Sequence, residues 1–532
     1  MDKQQKYDRQ LRLWGDHGQR SLENAKVCLI NVTATGTEML KNMVLPGIGS
    51  FTIIDSKCVT GEDAGNNFFL HSDRIGDSRA KVATELLLEL NPDVSGEYMD
   101  ETIDQLLENN PKLFSHFTVV IVSGLIPEDT LKKLSLLLWG KNIPLVLCKS
   151  YGFIGYSRLI VQEHCVVESH PDNTHEDLRL DNPFPGLKNY CDSLDLDVMT
   201  YKEHSHVPYV VLLYKYLEKW KKDKGEMPTN WKEKTAFKKL LLSGVRMKES
   251  ESGIIEEEEE NFLEAAKHAN ASLVASRIPS AVQKLLNDEE CLNLKESSKN
   301  FWILVRGLKM FFENEGNGML PLRGTLPDMT SDSERYIKLQ SVYKEQAELD
   351  TNAVTEHVSE ICASLNSRNG RISEKEIRRF CKNSHFLRTI RCRSLEKEFQ
   401  SPSKSFVESL IADPDSNAVW YVMFRSVERF QARHGRYPGT NELQLETDIG
   451  KLKICMKELL EEWGVPGSSE LVKDDYIHEM TRCGAAELHA VASFMGGIVA
   501  HEVIKLITAQ YVPFDDTFVY NGINCTTSSF KI

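Results

Sequence analysis

The chain is short of positive charge. Its 532 residues carry 64 lysines and arginines against 78 aspartates and glutamates, a net charge of −14. A surface tracking phosphate backbones would have to be local and set against the overall field, so nucleic acid is not an expected partner. Long apolar runs are scarce too. The N-terminus, Met1-Asp2-Lys3-Gln4-Gln5-Lys6, has no hydrophobic signal core, and the longest uncharged stretch, near Val491 to Ala500, is shorter than the roughly 20 residues that span a bilayer. Neither a leader nor a membrane span is expected. Twelve cysteines include no Cys-x-x-Cys pair and no accompanying histidine spacing. That excludes the usual zinc frameworks and argues for free thiols in a reducing compartment, hence a cytoplasmic location with the nucleus left open.

Catalytic signatures are missing as well. There is no Walker A loop, no His-Glu-x-x-His and no Gly-x-Ser-x-Gly. Cys392 lies between Arg391 and Arg393, which favours a thiolate, but an inert, partly buried thiol is the preferred reading. His204 and His206, two residues apart, do not share a helical face and lack a third ligand, so a loop or surface role is expected there rather than a metal. By its own motifs the chain looks catalytically empty.

What is present is an architecture. Val27-Cys28-Leu29-Ile30 reads as a buried parallel strand, and helical spacing begins at Met39, Leu40, Met43 and Val44. In a nucleotide-binding unit the loop between them would be Gly-x-Gly-x-x-Gly, whose glycines let backbone N–H groups and the helix N-terminus touch phosphate. Here the first glycine position is Asn31 and the next is Thr33, and only Gly36, which serves close helix–strand packing, remains. Asp55 ends the next strand, Phe51 to Asp55, where an acidic residue often meets a ribose; with the loop degraded, a local role is favoured. Further strands at 119–122 and 144–148 alternate with helices, which predicts an α/β, Rossmann-like, doubly wound sheet.

From about residue 170 helical periodicity takes over, at 210–220, 231–242, 301–312, 336–365, 420–433 and 448–463, with a capping box at Ser373 to Glu376. The glutamate run within 249–260 reads as a solvated loop. A buried helix from Val491 to about Ile507 and a strand at 518–520 return to the opening style. The expected domains are therefore 1–168, α/β; 169–471, a mainly helical insertion; and 472–532, the rest of the split α/β domain. The amphipathic run Tyr336, Leu339, Val342, Tyr343 is a candidate partner contact, with a core-facing helix as the open alternative. Residues 7–15, Tyr-Asp-Arg-Gln-Leu-Arg-Leu-Trp-Gly, read as a helix burying Tyr7, Leu11 and Trp14 and leaving Arg9 and Arg12 solvated.

These segments carry a resemblance. Tyr7 to Gly15, Leu40-Lys41-Asn42, Leu45-Pro46-Gly47-Ile48-Gly49, Ile54-Asp55 and Gly496 to Lys505 resemble the ubiquitin-like-protein activating enzymes, over about residues 6–165 and 472–532. Length and helical insert place the chain nearer the neddylation branch than the shorter subunit of the sumoylation branch. In that family two related adenylation folds pair and one of them binds ATP and magnesium. The resemblance puts this chain on the other side. The active pattern's glycines fall on Asn31, Val32, Thr33 and Ala34, its Asn-Arg-Gln-Phe on Gly65-Asn66-Asn67-Phe68, and its magnesium-holding aspartate on Ile126. The Cys-Thr pair, Cys525-Thr526, lies beyond the last expected strand, so the thioester cysteine is expected in the partner. The implied assignment is a regulatory, non-catalytic subunit that binds no cofactor or metal of its own (degenerate loop Asn31, Thr33, Ala34, Gly36). MgATP would be held by a catalytic partner subunit, and the other partners would be a ubiquitin-like neddylation modifier and a conjugating enzyme. Arg9 then becomes the residue expected to enter chemistry, as an arginine reaching the partner's ATP. A self-sufficient adenylating enzyme with an atypical phosphate loop and a non-enzymatic helical scaffold are the alternatives.

Overall fold

The computed structural model describes residues 3–172, 176–249, 255–365, 372–465 and 471–532. The chain divides into two compact units, Met1–Val166 with Thr389–Ile532, and Val167–Arg388.

The first unit is built on an eight-stranded sheet: β1 Lys26–Ile30, β2 Ser50–Ile54, β3 Ser95–Met99, β4 Val119–Ser123, β5 Leu145–Tyr151, β6 Ile154–Ile160, β7 Thr517–Asn521 and β8 Thr526–Phe530, in the order β8-β7-β6-β5-β4-β1-β2-β3. From β3 through β2, β1 and β4 to β5 the pairing is parallel; β5, β6, β7 and β8 pair antiparallel. Fully buried runs such as Val27–Ile30 and Val119–Val122 are what a sheet covered on both faces requires. Flanking helices are α1 Lys3–Glu23, α2 Ala34–Val44, α3 Arg79–Leu88, α4 Glu128–Trp139, α5 Ala418–His434, α6 Leu445–Glu462, α7 Asp474–Cys483 and α8 His489–Thr508.

Two expectations change here. The second domain boundary falls after Arg388, not near 471, because α5 and α6 share a core with the sheet: Val419, Val422, Met423 and Leu459 pack in one cluster with Ile30, Val122 and Leu147. Helical spacing identifies such helices but does not say which layer they cover. Strand β6 is not marked by the sequence, because a charge, Arg158, stands beside its centre. Arg158 is fully buried and pairs with Glu398 at 2.7 Å and Asp516 at 2.6 Å, so the strand lacks a clean apolar run.

Helix α8 is longer than the apolar stretch that announced it. It meets the length and composition of a membrane span, against the expectation that no segment would, yet it behaves as a core helix. Val491, Met495, Val499 and Val503 are buried in the core that contains Met39 and Met43 of α2. Gly496 permits that approach, since a Cβ there would lie 2.6 Å from Glu38 Cβ.

The second unit is mainly helical, with Tyr209–Lys224, Trp231–Leu242, Glu260–Ser272, Asn300–Glu313, Ser333–Ser364 and Glu374–Lys382 as its principal helices. The capping box at Ser373 and Glu376 is formed. The partner-contact candidates are corrected. Leu339 and Tyr343 are fully buried and Val342 nearly so, in a core with Trp220 and Phe262, while Tyr343 Oη donates to Leu178 O at 2.6 Å and Tyr336 is half-buried. The acidic run is also not simply a loop. Residues 250–254 lie outside the described residues, but Met247–Glu249 and Ile255–Glu258 pair as antiparallel strands. Glu259 is buried, accepting from His204 Nδ1 at 2.7 Å and from Arg246 N at 2.8 Å.

Candidate functional site

The loop between β1 and α2 keeps the backbone of a glycine turn while carrying side chains. Asn31 has φ 71°, a left-handed conformation that asparagine tolerates better than most residues, and its Nδ2 donates to Ser123 O at 3.0 Å. Thr33 caps α2: Gly36 N donates to its Oγ1 at 3.0 Å, and Thr33 Oγ1 shares a short hydrogen bond with Ser123 Oγ. Gly36 remains glycine because an added Cβ would stand 3.0 Å from Ser123.

A helix N-terminus leaves its first N–H groups without intrahelical acceptors, and these donors normally make a phosphate site. In α2 those of Ala34, Thr35 and Gly36 are engaged from within, and the ladder begins at Thr37. Ala34 N donates to Glu487 Oε2 at 2.8 Å, Thr35 N to Glu487 Oε1 at 3.4 Å, Gly36 N to the Thr33 hydroxyl, and Thr37 N to Thr33 O at 3.0 Å. Thr35 Oγ1 lies 2.7 Å from Glu487 Oε1 and donates to it. Burial pushes the Glu487 carboxyl above its usual range, against the pull of the Thr35 hydroxyl, the two backbone N–H groups and Arg79.

The neighbouring positions are likewise consumed locally. Asp55 is buried and accepts from Val32 N at 2.8 Å and Lys57 N at 2.9 Å, the local role expected of it. Arg79, at the start of α3, lies 3.3 Å from Asp55 and 3.3 Å from Asp63 and donates a short bond to Val32 O. Asn67 receives Thr37 Oγ1 and Phe69 N, both at 3.0 Å, and Phe68 is exposed. Ile126 sits half-buried against the core. Asn31, Thr33, Ala34 and Gly36 are thus brought together with Asp55 and Asn67. Glu487 and Arg79 complete the cluster and were missed, because Glu487 is 453 residues from Ala34 and no local pattern connects them.

Elsewhere, α1 buries Tyr7 and Trp14 and exposes Arg9 and Arg12, as its spacing predicts, while Leu11, expected on the buried face, is only half-buried; Arg12 pairs with Asp8 at 2.9 Å. Tyr7 Oη donates to Asp93 Oδ2 at 3.0 Å and Trp14 Nε1 to Gln19 Oε1 at 3.2 Å, which fix the helix that carries Arg9. Cys392 is buried and its thiol is pushed up to about 11 by desolvation, so it is not a thiolate at neutral pH. His206 is on the surface as expected, but His204 is in the core, against the loop or surface role expected of it, held by Glu259 at 2.7 Å. Cys525 is exposed in the turn between β7 and β8; a strand follows it, contrary to the expectation that it lay past the last one.

The ThiF family model matches residues 7–532. The chain is 52% identical over 533 residues to the NEDD8-activating enzyme E1 regulatory subunit of Xenopus laevis, covering 100% of this chain and 99% of that one. It is 52% identical to the protein of the same name from Gallus gallus, covering 100% and 98%. The chain belongs to the ThiF family. Within it, the chain belongs with the NEDD8-activating enzyme E1 regulatory subunits, a relation that extends to the Arabidopsis thaliana regulatory subunit AXR1 at 40% identity over 99% of this chain and 96% of that one. Membership runs through both units, helical insertion included, and agrees with the α/β adenylation-type fold of the first.

Proposed function

We propose that this chain is the non-nucleotide-binding half of a heterodimeric activating enzyme for a ubiquitin-like modifier of the neddylation type. A catalytic partner subunit binds MgATP, adenylates the modifier's C-terminal glycine, takes the acyl group as a thioester on its own cysteine and passes it to a conjugating enzyme. This chain contributes the paired fold and an arginine. The observation that carries the reading is the β1–α2 loop: side chains stand where phosphate needs glycine, and the N-terminal donors of α2 are bonded to the chain's own groups.

Arg9 is the residue we assign to the chemistry. It projects from a helix whose opposite face is anchored by Tyr7 and Trp14, so the guanidinium is presented to a partner from a fixed base. A cation brought in trans stabilises charge developing on a transferring phosphate. In the reconstituted pair, Arg9→Ala should slow adenylate formation at least about tenfold, roughly 1.4 kcal/mol, measured as modifier-dependent ATP–pyrophosphate exchange. No change would favour a purely structural role. ATP binding with pyrophosphate exchange by this chain alone would establish a self-sufficient enzyme instead.

A further inference from the structure

We propose that Glu487 is a built-in anion: its carboxylate takes the place of a nucleotide phosphate at the N-terminus of α2 and closes that position to ligands. The inference deepens the reading of this chain as the non-nucleotide-binding half, but it stands on contacts within the chain alone. The carboxylate engages three donors that a phosphate would use, Ala34 N, Thr35 N and Thr35 Oγ1, with both oxygens occupied. A helix N-terminus carries a partial positive charge of about half an elementary unit, so an anion there is favoured over a neutral acceptor. The next backbone donor, Gly36 N, is held by the Thr33 hydroxyl, so the N–H groups of Ala34, Thr35 and Gly36 are all engaged within the chain.

The segment that delivers Glu487 is built for the purpose. It leaves α7 through two successive left-handed residues, Gly484 at φ 55° and Ala485 at φ 68°. For an alanine that conformation costs about 1–2 kcal/mol, so surrounding contacts must hold it. They do: Gly152 N donates to Ala486 O at 2.7 Å, and Gly152 and Glu487 form a parallel bridge. Gly152 can have no side chain, since a Cβ would lie 2.2 Å from Cys483 Sγ. The strap from α7 to α8 is therefore clamped at the end of β5 with its carboxylate aimed at the loop. In this arrangement Glu487 does for α2 what a bound nucleotide would do, satisfying its N-terminus and tying the first strand–helix unit to the last.

The test uses the full chain and inorganic phosphate as the probe. Glu487→Ala should lower the melting temperature by several degrees in phosphate-free buffer. Phosphate at tens of millimolar should restore at least half of that loss, while chloride at equal ionic strength does not, and the unsubstituted chain should show no phosphate-specific gain. A variant as stable as the parent, or one that phosphate does not rescue, overturns the proposal. So does phosphate stabilisation of the parent equal to that of the variant. Should Glu487→Ala not fold, Glu487→Gln keeps the shape without the charge. Hydrogen exchange at Ala34 and Thr35 should then rise at least about tenfold over the parent, and unchanged protection would refute the role. These readouts need no partner, so their failure is distinct from failure of Arg9→Ala to slow adenylation.

Discussion

Replacing Arg158 by methionine would show how the two ends of the chain are locked into one sheet. The guanidinium, with no exposed surface, bonds Glu398 through Nε at 3.0 Å and Nη2 at 2.7 Å, and Asp516 through Nη1 at 2.6 Å. Tyr421 Oη donates to the other Glu398 oxygen at 2.7 Å, and Thr517 Oγ1 donates to Asp516 at 2.9 Å. Methionine keeps most of the apolar stem and strands two buried carboxylates. Breaking a buried ion pair from one side costs about 3–5 kcal/mol, because the remaining charge is uncompensated. At about 2 °C per kcal/mol for a unit of this size, the first unit should melt about 6–10 °C lower. The loss should also depend on pH. Burial already holds the Asp516 carboxyl above its usual range and Arg158 opposes that, so removing Arg158 raises it further. A folded-state value above the unfolded one means the native state binds more protons, so the variant should lose stability as pH rises and recover toward the parent as it falls. Arg158→Met with Glu398→Gln removes one stranded charge while Tyr421 keeps its acceptor, and should regain about 1–3 kcal/mol. Calorimetry of the full chain, with hydrogen exchange at β6 and β7 to assign the transition, reads all three effects. A loss under about 1 kcal/mol, or one as large in the ordinary carboxylate range as at neutral pH, would refute the reasoning.

Other consequences are as direct. Leu339→Ala should cost about 2–5 kcal/mol in the helical unit by opening a cavity in its core, seen as earlier exchange of the Ser333–Ser364 helix; a fully stable variant that no longer assembles with a partner would instead make Leu339 a contact. His385 is half-buried beside Asp177 at 3.9 Å, and desolvation, aided by Arg179 and Arg323 against the pull of Asp177, lowers its value to about 4. A folded-state value below the unfolded one means the unfolded chain binds the extra proton, so stability should fall as pH drops from about 6.5 to 4, by up to about 3 kcal/mol. His385→Gln should flatten that window in acid titrations followed by circular dichroism, and an unchanged slope would count against it. In the same series Tyr343→Phe should cost about 1 kcal/mol through the lost bond to Leu178 O, measured by denaturant midpoint; a neutral result would mean solvent satisfies that carbonyl.

The first strand, the loop that lost its glycines, the Asp55 carboxylate and most helices were legible in the sequence because each is a local pattern. Apolar runs of four report burial on both faces, spacing of three and four reports a helix, and a side chain at a glycine position reports a phosphate loop that cannot approach its ligand. The same locality set the limit. Amphipathic spacing on Tyr336 to Tyr343 identified a buried face without saying what buried it, and the answer was the chain's own core. Strand β6 was hidden because the charge beside its centre is neutralised by Glu398 and Asp516, which lie 240 and 358 positions away. Nor did any pattern place α5 and α6 with the sheet. By itself, the sequence determined an α/β fold with an emptied nucleotide loop, since strand, turn and helix preferences are fixed by neighbours a few residues apart. Only the tertiary structure decided what fills that loop. Glu487 reaches α2 because the last helix packs on α2 and the segment before it bridges to Gly152 at the end of β5, and hydrogen bonds between such distant residues exist only once the sheet has formed.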